Sequence, residues 1–158
     1  KKKEESVSLN SFTPNTKIES AKVTANFTNL SNHGRNFNIL FYIPNTLVVE
    51  TRYAYISFPD NGTIERVDLT VETVPTGSAI IVDIERSTDG GGTWTTIFTG
   101  GTNRPQIAIS SRTGNTTTID VPGIIANTYL YRVKIVQIGS TIAGADMVVS
   151  IKGKYNLD

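Results

Sequence analysis

Hydrophobic and polar residues alternate with a period of two over long stretches of this chain. The clearest case is the segment 63–74, TIERVDLTVETV, in which Val67, Leu69 and Val71 fall on one face and polar or charged residues on the other. The segment 78–87, SAIIVDIERS, repeats the pattern. Alternation of this kind is typical of β-strands that have one buried and one solvated face. We therefore predict two half-buried strands in these segments.

Weaker stretches of the same kind extend along the chain, each followed by a turn signal. Turn residues separate them at spacings of about 8–14 residues, and no segment carries the 3.6-residue period of a helix. Short strands at such spacings favour an all-β fold, and we predict a two-sheet antiparallel β-sandwich, jelly-roll-like in topology. The further predicted strands are 21–30, 37–43, 47–58, 94–98, 104–110, 116–121, 128–138 and 145–153.

The N-terminal residues differ in composition from the rest of the chain. Residues 1–16, KKKEESVSLNSFTPNT, are mostly polar and contain one proline. We predict an extended or flexible arm there. Residues 17–158 are then expected to form a single β-sandwich domain, since a chain of 158 residues fits one domain and can bury a core without disulfide or metal.

Charge and cysteine content narrow the classes of partner. The chain has no cysteine, which excludes structural disulfides and thiolate metal sites, and its net charge is +1. The one dense basic run, residues 1–3, is followed at once by Glu4 and Glu5. No apolar run approaches the roughly 18 residues of a membrane span. We expect no nucleic-acid partner, no membrane insertion and no cofactor.

The segment STDGGGTW, residues 87–94, resembles the Asp-box hairpin that recurs in sialidases and other β-propellers. The match is carried by Ser87, Asp89, Gly91, Thr93 and Trp94. In such a box the aspartate fixes its own turn, the glycine supplies a positive φ, and the tryptophan packs over the hairpin. A propeller needs several blades of roughly 40–50 residues, and this chain has one box. The motif therefore predicts a structural hairpin turn and no catalytic site.

Other candidate chemistry is sparse. His33 is the single histidine and lies in a turn segment, so no cluster of histidines can hold a metal. The carboxylates, for example Asp83 and Glu85, mostly alternate with apolar residues, which indicates solvated strand faces. Asp89 and Asp146 do not stand at metal-ligand spacing. A pair of carboxylates brought together by the fold would indicate a glycoside hydrolase. Because solvated strand faces account better for the scattered carboxylates, we predict no enzyme activity and no metal.

Four tyrosines stand in pairs along predicted strands. Tyr53 and Tyr55 share one strand face, and so do Tyr129 and Tyr131. Flat aromatic rings with polar neighbours suit a sugar-binding platform or a contact between subunits. The alternative is that these rings line the core. The four tyrosines are therefore candidates for a glycan or interface surface.

A series of segments between residues 60 and 155 resembles a domain of tailed-phage virion proteins. The series is GTIERVDLTVETVPTGSAIIVDIERS, then TIFTGGTNRPQIAI, and finally VKIVQIGSTIAGADMVVSIKG. The resemblance implies a β-sandwich of the kind used in tail fibres, adsorption proteins and capsid decorations. Such domains act by binding and assembly, and no catalytic residues transfer. The hairpin from Asp89 to Trp94 is longer than is usual in these domains, and residues 1–50 fall outside the resemblance.

The sequence thus predicts a non-enzymatic virion structural protein on the exterior of a bacteriophage particle, as a capsid decoration, tail fibre or other tail component. Its expected partners are other virion proteins and further copies of itself in a homo-oligomer. The alternative is a carbohydrate-binding module that recognises a cell-surface glycan. A virion subunit and a carbohydrate-binding module both act through binding surfaces. The arrangement of exposed residues therefore distinguishes the two functions.

Overall fold

A computed structural model of the chain describes residues 35–50, 52–126 and 128–156, with the backbone alone for residues 52–54. These residues belong to one compact unit, Arg35–Asp158. The predicted arm at 1–16, the predicted strand at 21–30 and His33 lie outside the described residues. The regular elements that are described are all strands. No helix in this part of the chain is long and apolar enough to cross a membrane.

The described residues form ten strands, and every described pairing between them is antiparallel. The predicted all-β antiparallel class is therefore confirmed. In chain order the strands are β1 (Asn36–Thr46), β2 (Arg52–Ile56), β3 (Gly62–Thr73), β4 (Ile80–Ser87), β5 (Thr95–Thr96), β6 (Gln106–Ile107), β7 (Thr113–Thr116), β8 (Gly123–Ile124), β9 (Leu130–Gln137) and β10 (Ala145–Tyr155).

Hydrogen bonds join the strands in one continuous path, β1-β10-β3-β7-β6-β4-β9-β2, with β5 added to β4 and β8 to β3. The path narrows between β7 and β6, where only Ile107 and Gly114 pair. We call β1, β10, β3 and β7 the β10 half, and β6, β4, β9 and β2 the β9 half. Because one sheet passes through this narrow junction, two separate sheets with jelly-roll topology are not confirmed.

The core follows from the period-two pattern. Val67, Leu69 and Val71 are buried, as their alternation predicts. Both halves contribute to one cluster, and aromatic rings connect them. The ring of Phe58 lies 5.1 Å from that of Phe37 in β1 and 5.1 Å from that of Tyr131 in β9, measured between centroids. The other buried residues include Ile43, Leu47, Ile80, Val82, Ile84, Ile97, Phe98, Ile107, Val133, Ile135, Met147, Val149 and Ile151.

Four predicted strands are shorter than expected. Within 94–98 only Thr95 and Thr96 belong to a strand, and within 104–110 only Gln106 and Ile107 do. Within 47–58 only β2 is a strand, and Glu50 shortly before it has a left-handed φ of 64° that interrupts an extended backbone. Within 116–121 only Thr116 belongs to a strand. The following residues bond to a loop instead, since the N–H of Val121 donates to the carbonyl of Ile97. The two-residue strand β8 was not predicted, because two residues carry no period.

Candidate binding surface

The Asp-box segment closes the hairpin between β4 and β5 with a network of side-chain bonds. Ser87 Oγ donates to Asp89 Oδ1 at 2.7 Å and accepts the N–H of Gly91 at 2.8 Å. Asp89 also accepts the N–H of Thr93 at 2.9 Å and its hydroxyl at 2.7 Å. Gly91 has a φ of 102°, and its carbonyl accepts the indole N–H of Trp94 at 3.0 Å. All five residues of the motif thus bond within their own turn.

These bonds also fix the charge of Asp89. The backbone N–H of Thr93 and the hydroxyls of Ser87 and Thr93 hold the pKa of Asp89 well below its ordinary value. The carboxylate is therefore charged and fully engaged with the turn around it. Such a group organises a loop and is a poor donor or acceptor of protons near neutral pH.

We expect the substitution Asp89→Asn to lower the midpoint of thermal unfolding by roughly 3–5 °C at pH 7, because the amide nitrogen that replaces one carboxylate oxygen cannot accept the bond from the Thr93 hydroxyl. A group whose pKa is lowered by folding stabilises the protein above its unfolded pKa of about 4. That contribution disappears as the pH falls through the folded pKa. Circular dichroism melts from pH 7 downwards should show the difference between the two proteins shrinking below about pH 4.

Glu65→Gln is the matched control, since it removes an exposed carboxylate whose ion pair with Lys154 is a surface contact. This variant should melt within about 1–2 °C of the parent. An Asp89→Asn protein that melts like the parent at every pH would show that the turn does not depend on this carboxylate.

The ring of Trp94 packs against Tyr55 of β2, on the outer side of the β9 half. Its ring centroid lies 5.0 Å from that of Tyr55, with the planes 31° apart. The guanidinium carbon of Arg132 lies 4.0 Å from the Trp94 centroid, which is cation–π distance. Tyr55 keeps 61% of its surface exposed. The Asp-box hairpin therefore holds an aromatic pair at the protein surface.

Beside this pair lies a buried ladder of charges between β4 and β9. Asp83 is opposite Lys134, and Glu85 is opposite Arg132. Glu85 accepts from Arg132 at 2.6 Å, and Lys134 Nζ lies 3.8 Å from its second oxygen. These carboxylates were predicted to be solvated, but Asp83 is only 3% exposed and Glu85 only 9%. The prediction that Asp83 and Glu85 lie on a solvated strand face is therefore wrong.

Asp83 is covered by residues that follow the hairpin. Its carboxylate accepts the hydroxyl of Thr96 at 2.6 Å and a guanidinium N–H of Arg104 at 2.9 Å. Burial raises the pKa of Asp83, although the bonds from Thr96 and Arg104 oppose the shift. Buried charges need such partners. The acidic groups of this face are thus engaged in holding the fold together.

A sequence signal for this ladder was present. The stretch VDIE at 82–85 alternates apolar and acidic residues, and YRVK at 131–134 alternates apolar and basic residues. Two strands with complementary charge patterns favour pairing with each other. The signal indicates a shared face, but it does not indicate whether another segment covers that face.

The structure separates the four candidate tyrosines. Tyr53 lies in β2 opposite Val133, and its side chain is outside the described part. Tyr129 is half-buried under Arg86, whose guanidinium carbon is 4.8 Å from the ring centroid. Tyr131 is fully buried, which raises its pKa to about 12, and its hydroxyl donates to Gly123 at 3.0 Å. Tyr131 therefore belongs to the core, as the alternative interpretation had it, and offers nothing to a glycan or a subunit.

The outer face of the β10 half presents a second surface. Its residues form rows across the strands, because the registers place outward positions side by side. A groove of about 500 Å³ runs along these rows. The rows are Asn38, Lys152 and Arg66; then Leu40, Ser150, Asp68 and Asn115; then Tyr42, Val148, Thr70 and Thr113.

One corner of this face is apolar and exposed. Leu40 keeps 62% and Tyr42 63% of its surface exposed, and half-buried Val148 lies beside them. The hydroxyl of Tyr42 donates to Asp146 at 3.0 Å, and this bond raises the pKa of Tyr42. The sequence pattern does not predict this corner. The run FNILFYI, residues 37–43, is apolar almost throughout, so its period does not tell which side is exposed.

A charged triad occupies the opposite part of the same face. Asp68 lies 2.5 Å from Arg66 Nε and 2.8 Å from Lys152 Nζ. Partial burial acts to raise the pKa of Asp68, but the bonds from Lys152 and Arg66 together lower it. In the described part of the chain, no group of three or more His, Cys, Asp or Glu residues is placed to hold a metal ion.

Comparisons with known proteins give low similarity. No protein-family model and no curated protein matches the chain. A solved structure of the cyanophage Pam1 capsid asymmetric unit is similar over 78% of this chain and 85% of that one, at 10% identity and a TM-score of 0.45. A serine protease of Aeromonas sobria is similar over 83% of this chain at 10% identity and a TM-score of 0.33. This chain covers 30% of that protease. At TM-scores this low, neither similarity carries an argument about function.

Proposed function

We propose that this chain is a non-enzymatic structural protein on the exterior of a tailed-phage particle, and that it acts by binding other virion proteins and further copies of itself. The segments between residues 60 and 155 support the proposal through their resemblance to virion domains. The observation that carries it is the exposed apolar corner formed by Leu40 and Tyr42 on the strand at the end of the sheet. Exposed apolar surface on a sheet edge is typical of sites of association.

The charged side chains of the sheet fit a structural role. Asp83, Glu85 and Asp68 each bond to a basic partner, and the first two are buried. The ion pairs of these carboxylates stabilise the fold. A structural subunit needs such a stable scaffold and a surface for its neighbours.

We further propose that the β10 half and the β9 half are the two layers of a β-sandwich joined at the Ile107–Gly114 pair. The aromatic contacts of Phe58 with Phe37 and Tyr131 support this, because they link side chains of opposite halves through one core.

Light scattering coupled to size exclusion tests the assembly. We expect the full chain to form a defined oligomer, and a variant lacking residues 1–16 to form a smaller one, because a polar arm can add to a neighbouring subunit as an extra strand. Monomers in both cases contradict self-assembly.

The location on a particle needs its own test. Mass spectrometry of purified phage particles should detect the chain, and antibodies against it should label intact particles from outside. Absence from purified particles, or labelling only after disruption, contradicts the exterior location.

A glycan-binding module is the second candidate, and the Tyr55–Trp94 pair favours it. An exposed ring beside a cation is a suitable surface for a sugar. A glycan array tests this candidate, with Tyr55→Ala as the variant and the exposed Ile109→Ala as the control. Binding that only Tyr55→Ala abolishes supports the module, and an array without binding speaks against it.

A further inference from the structure

Strand β1 has one edge bonded and one edge that no described strand occupies. It pairs with β10 from Asn36 opposite Lys154 to Ile43 opposite Met147, and it stands at the end of the sheet path. Edge strands of soluble proteins commonly carry charges, prolines or irregularities that block further pairing. From Asn36 to Ile43, β1 has none of the charged residue types, and its one proline, Pro44, follows this stretch. The edge from Asn36 to Ile43 therefore lacks the usual protection against strand addition.

We infer that the occupant of this edge is a second copy of β1, so that two chains form a symmetric dimer through antiparallel β1–β1 pairing. The inference rests on the proposed function and names the partner of the exposed corner. An uncharged strand suits its own antiparallel copy, since no like charges come to lie opposite each other. A two-fold axis also brings the same surface of both chains together, as in most homodimers.

The backbone indicates the register. Asn45 has a left-handed φ of 67°, and the pairing of β1 with β10 is irregular after Ile43. A regular ladder therefore extends from Asn36 to Ile43, and Pro44 has no N–H to continue it. A symmetric pairing centred on Leu40 places Phe37 opposite Ile43, so it uses residues 37–43 and avoids both Pro44 and Asn45.

In this register the exposed side chains complement each other. Leu40 lies opposite Leu40 of the second copy, and Asn38 lies opposite Tyr42 on either side of the axis. The pairing covers four apolar side chains that are about three-fifths exposed in the single chain. Burial of this surface and a new ladder of backbone hydrogen bonds both favour the dimer.

A cysteine introduced at position 40 tests the register, because the chain contains no other cysteine. In antiparallel sheets, residues directly opposite each other have Cα atoms about 4.5–5.5 Å apart, within the range that a disulfide spans. We expect full-chain Leu40→Cys to give mostly disulfide-linked dimer in a glutathione redox buffer, as seen by non-reducing electrophoresis.

Two controls make the result specific. Asn38→Cys alone should stay monomeric on the gel, because two copies of residue 38 lie four positions apart along the strand, about 13 Å. An equal mixture of Asn38→Cys and Tyr42→Cys should give the mixed dimer. Tyr55→Cys, equally exposed but away from β1, should cross-link far less than Leu40→Cys.

A second variant tests the interface without a cross-link. Leu40→Lys places like charges opposite each other on the axis, and light scattering of the full chain should show the molar mass falling by at least half. If Leu40→Cys forms no disulfide dimer and Leu40→Lys keeps the parent mass, the inference is overturned. A parent that is still an oligomer then leaves the proposed function standing. A monomeric parent that is also absent from phage particles contradicts both.

Discussion

Replacing Phe58 by alanine is expected to lower the free energy of unfolding by about 3–5 kcal/mol, the range of large-to-small substitutions at buried aromatic positions. Phe58 is 1% exposed, and its ring contacts those of Phe37 and Tyr131. The substitution leaves a cavity between β1 and β9, because these strands are fixed in their ladders and cannot close the space. The loss should therefore exceed the transfer free energy of the removed atoms.

Urea unfolding followed by the fluorescence of Trp94, the single tryptophan, measures this effect. Ile109→Ala is the control, since Ile109 is 53% exposed and its substitution should cost about 0.5 kcal/mol or less. A loss below about 1 kcal/mol for Phe58→Ala would mean that the two halves do not depend on this ring for their packing.

The second large effect is expected from Gly114→Ala. Gly114 forms the single pair that joins β7 to β6, and a Cβ atom there would lie 1.8 Å from the backbone oxygen of Gln106. A backbone carbonyl cannot turn aside as a flexible side chain can, so the junction must shift. We expect a loss of more than about 2 kcal/mol in the free energy of unfolding. Hydrogen exchange should also become faster in β6 and β7.

Gly123→Ala is the matched substitution. Gly123 also lies in a short strand, and a Cβ atom there meets nothing within 4 Å. This variant should unfold within about 0.5 kcal/mol of the parent. Equal stability of the two variants would contradict the importance of the junction.

The long strands of this fold could be predicted because they alternate over many residues. β3, β4, β9 and β10 fall within two residues of their predicted bounds at each end. The pairing of β7 with β6 could not be predicted, because it depends on a close approach at Gly114 that no local pattern records. The backbone paths of residues 117–121 and 47–50 could not be predicted either. They depend on long-range hydrogen bonds and on the left-handed backbone conformation of Glu50.

The candidate surfaces show the same division. The Asp-box turn is a local motif, and its bonds form within eight consecutive residues. The burial of Asp83 depends on Arg104, which follows it by 21 positions. The exposure of Leu40 depends on the strand order of the whole sheet. Alternation assigns residues to faces, but burial is decided by which segments later cover each face.

The position of β10 between β1 and β3 decides when this protein can complete its fold. Ser150 and Asn38, which bond across β10 and β1, are 112 positions apart in the chain. Contacts at such separations form slowly, because a long loop must close before they contribute. A ribosome therefore releases the FNILFYI stretch well before the strand that pairs with it has been made. Until β10 has been synthesised, this apolar stretch lacks its partner strand. A chaperone that binds extended apolar segments is then expected to bind it.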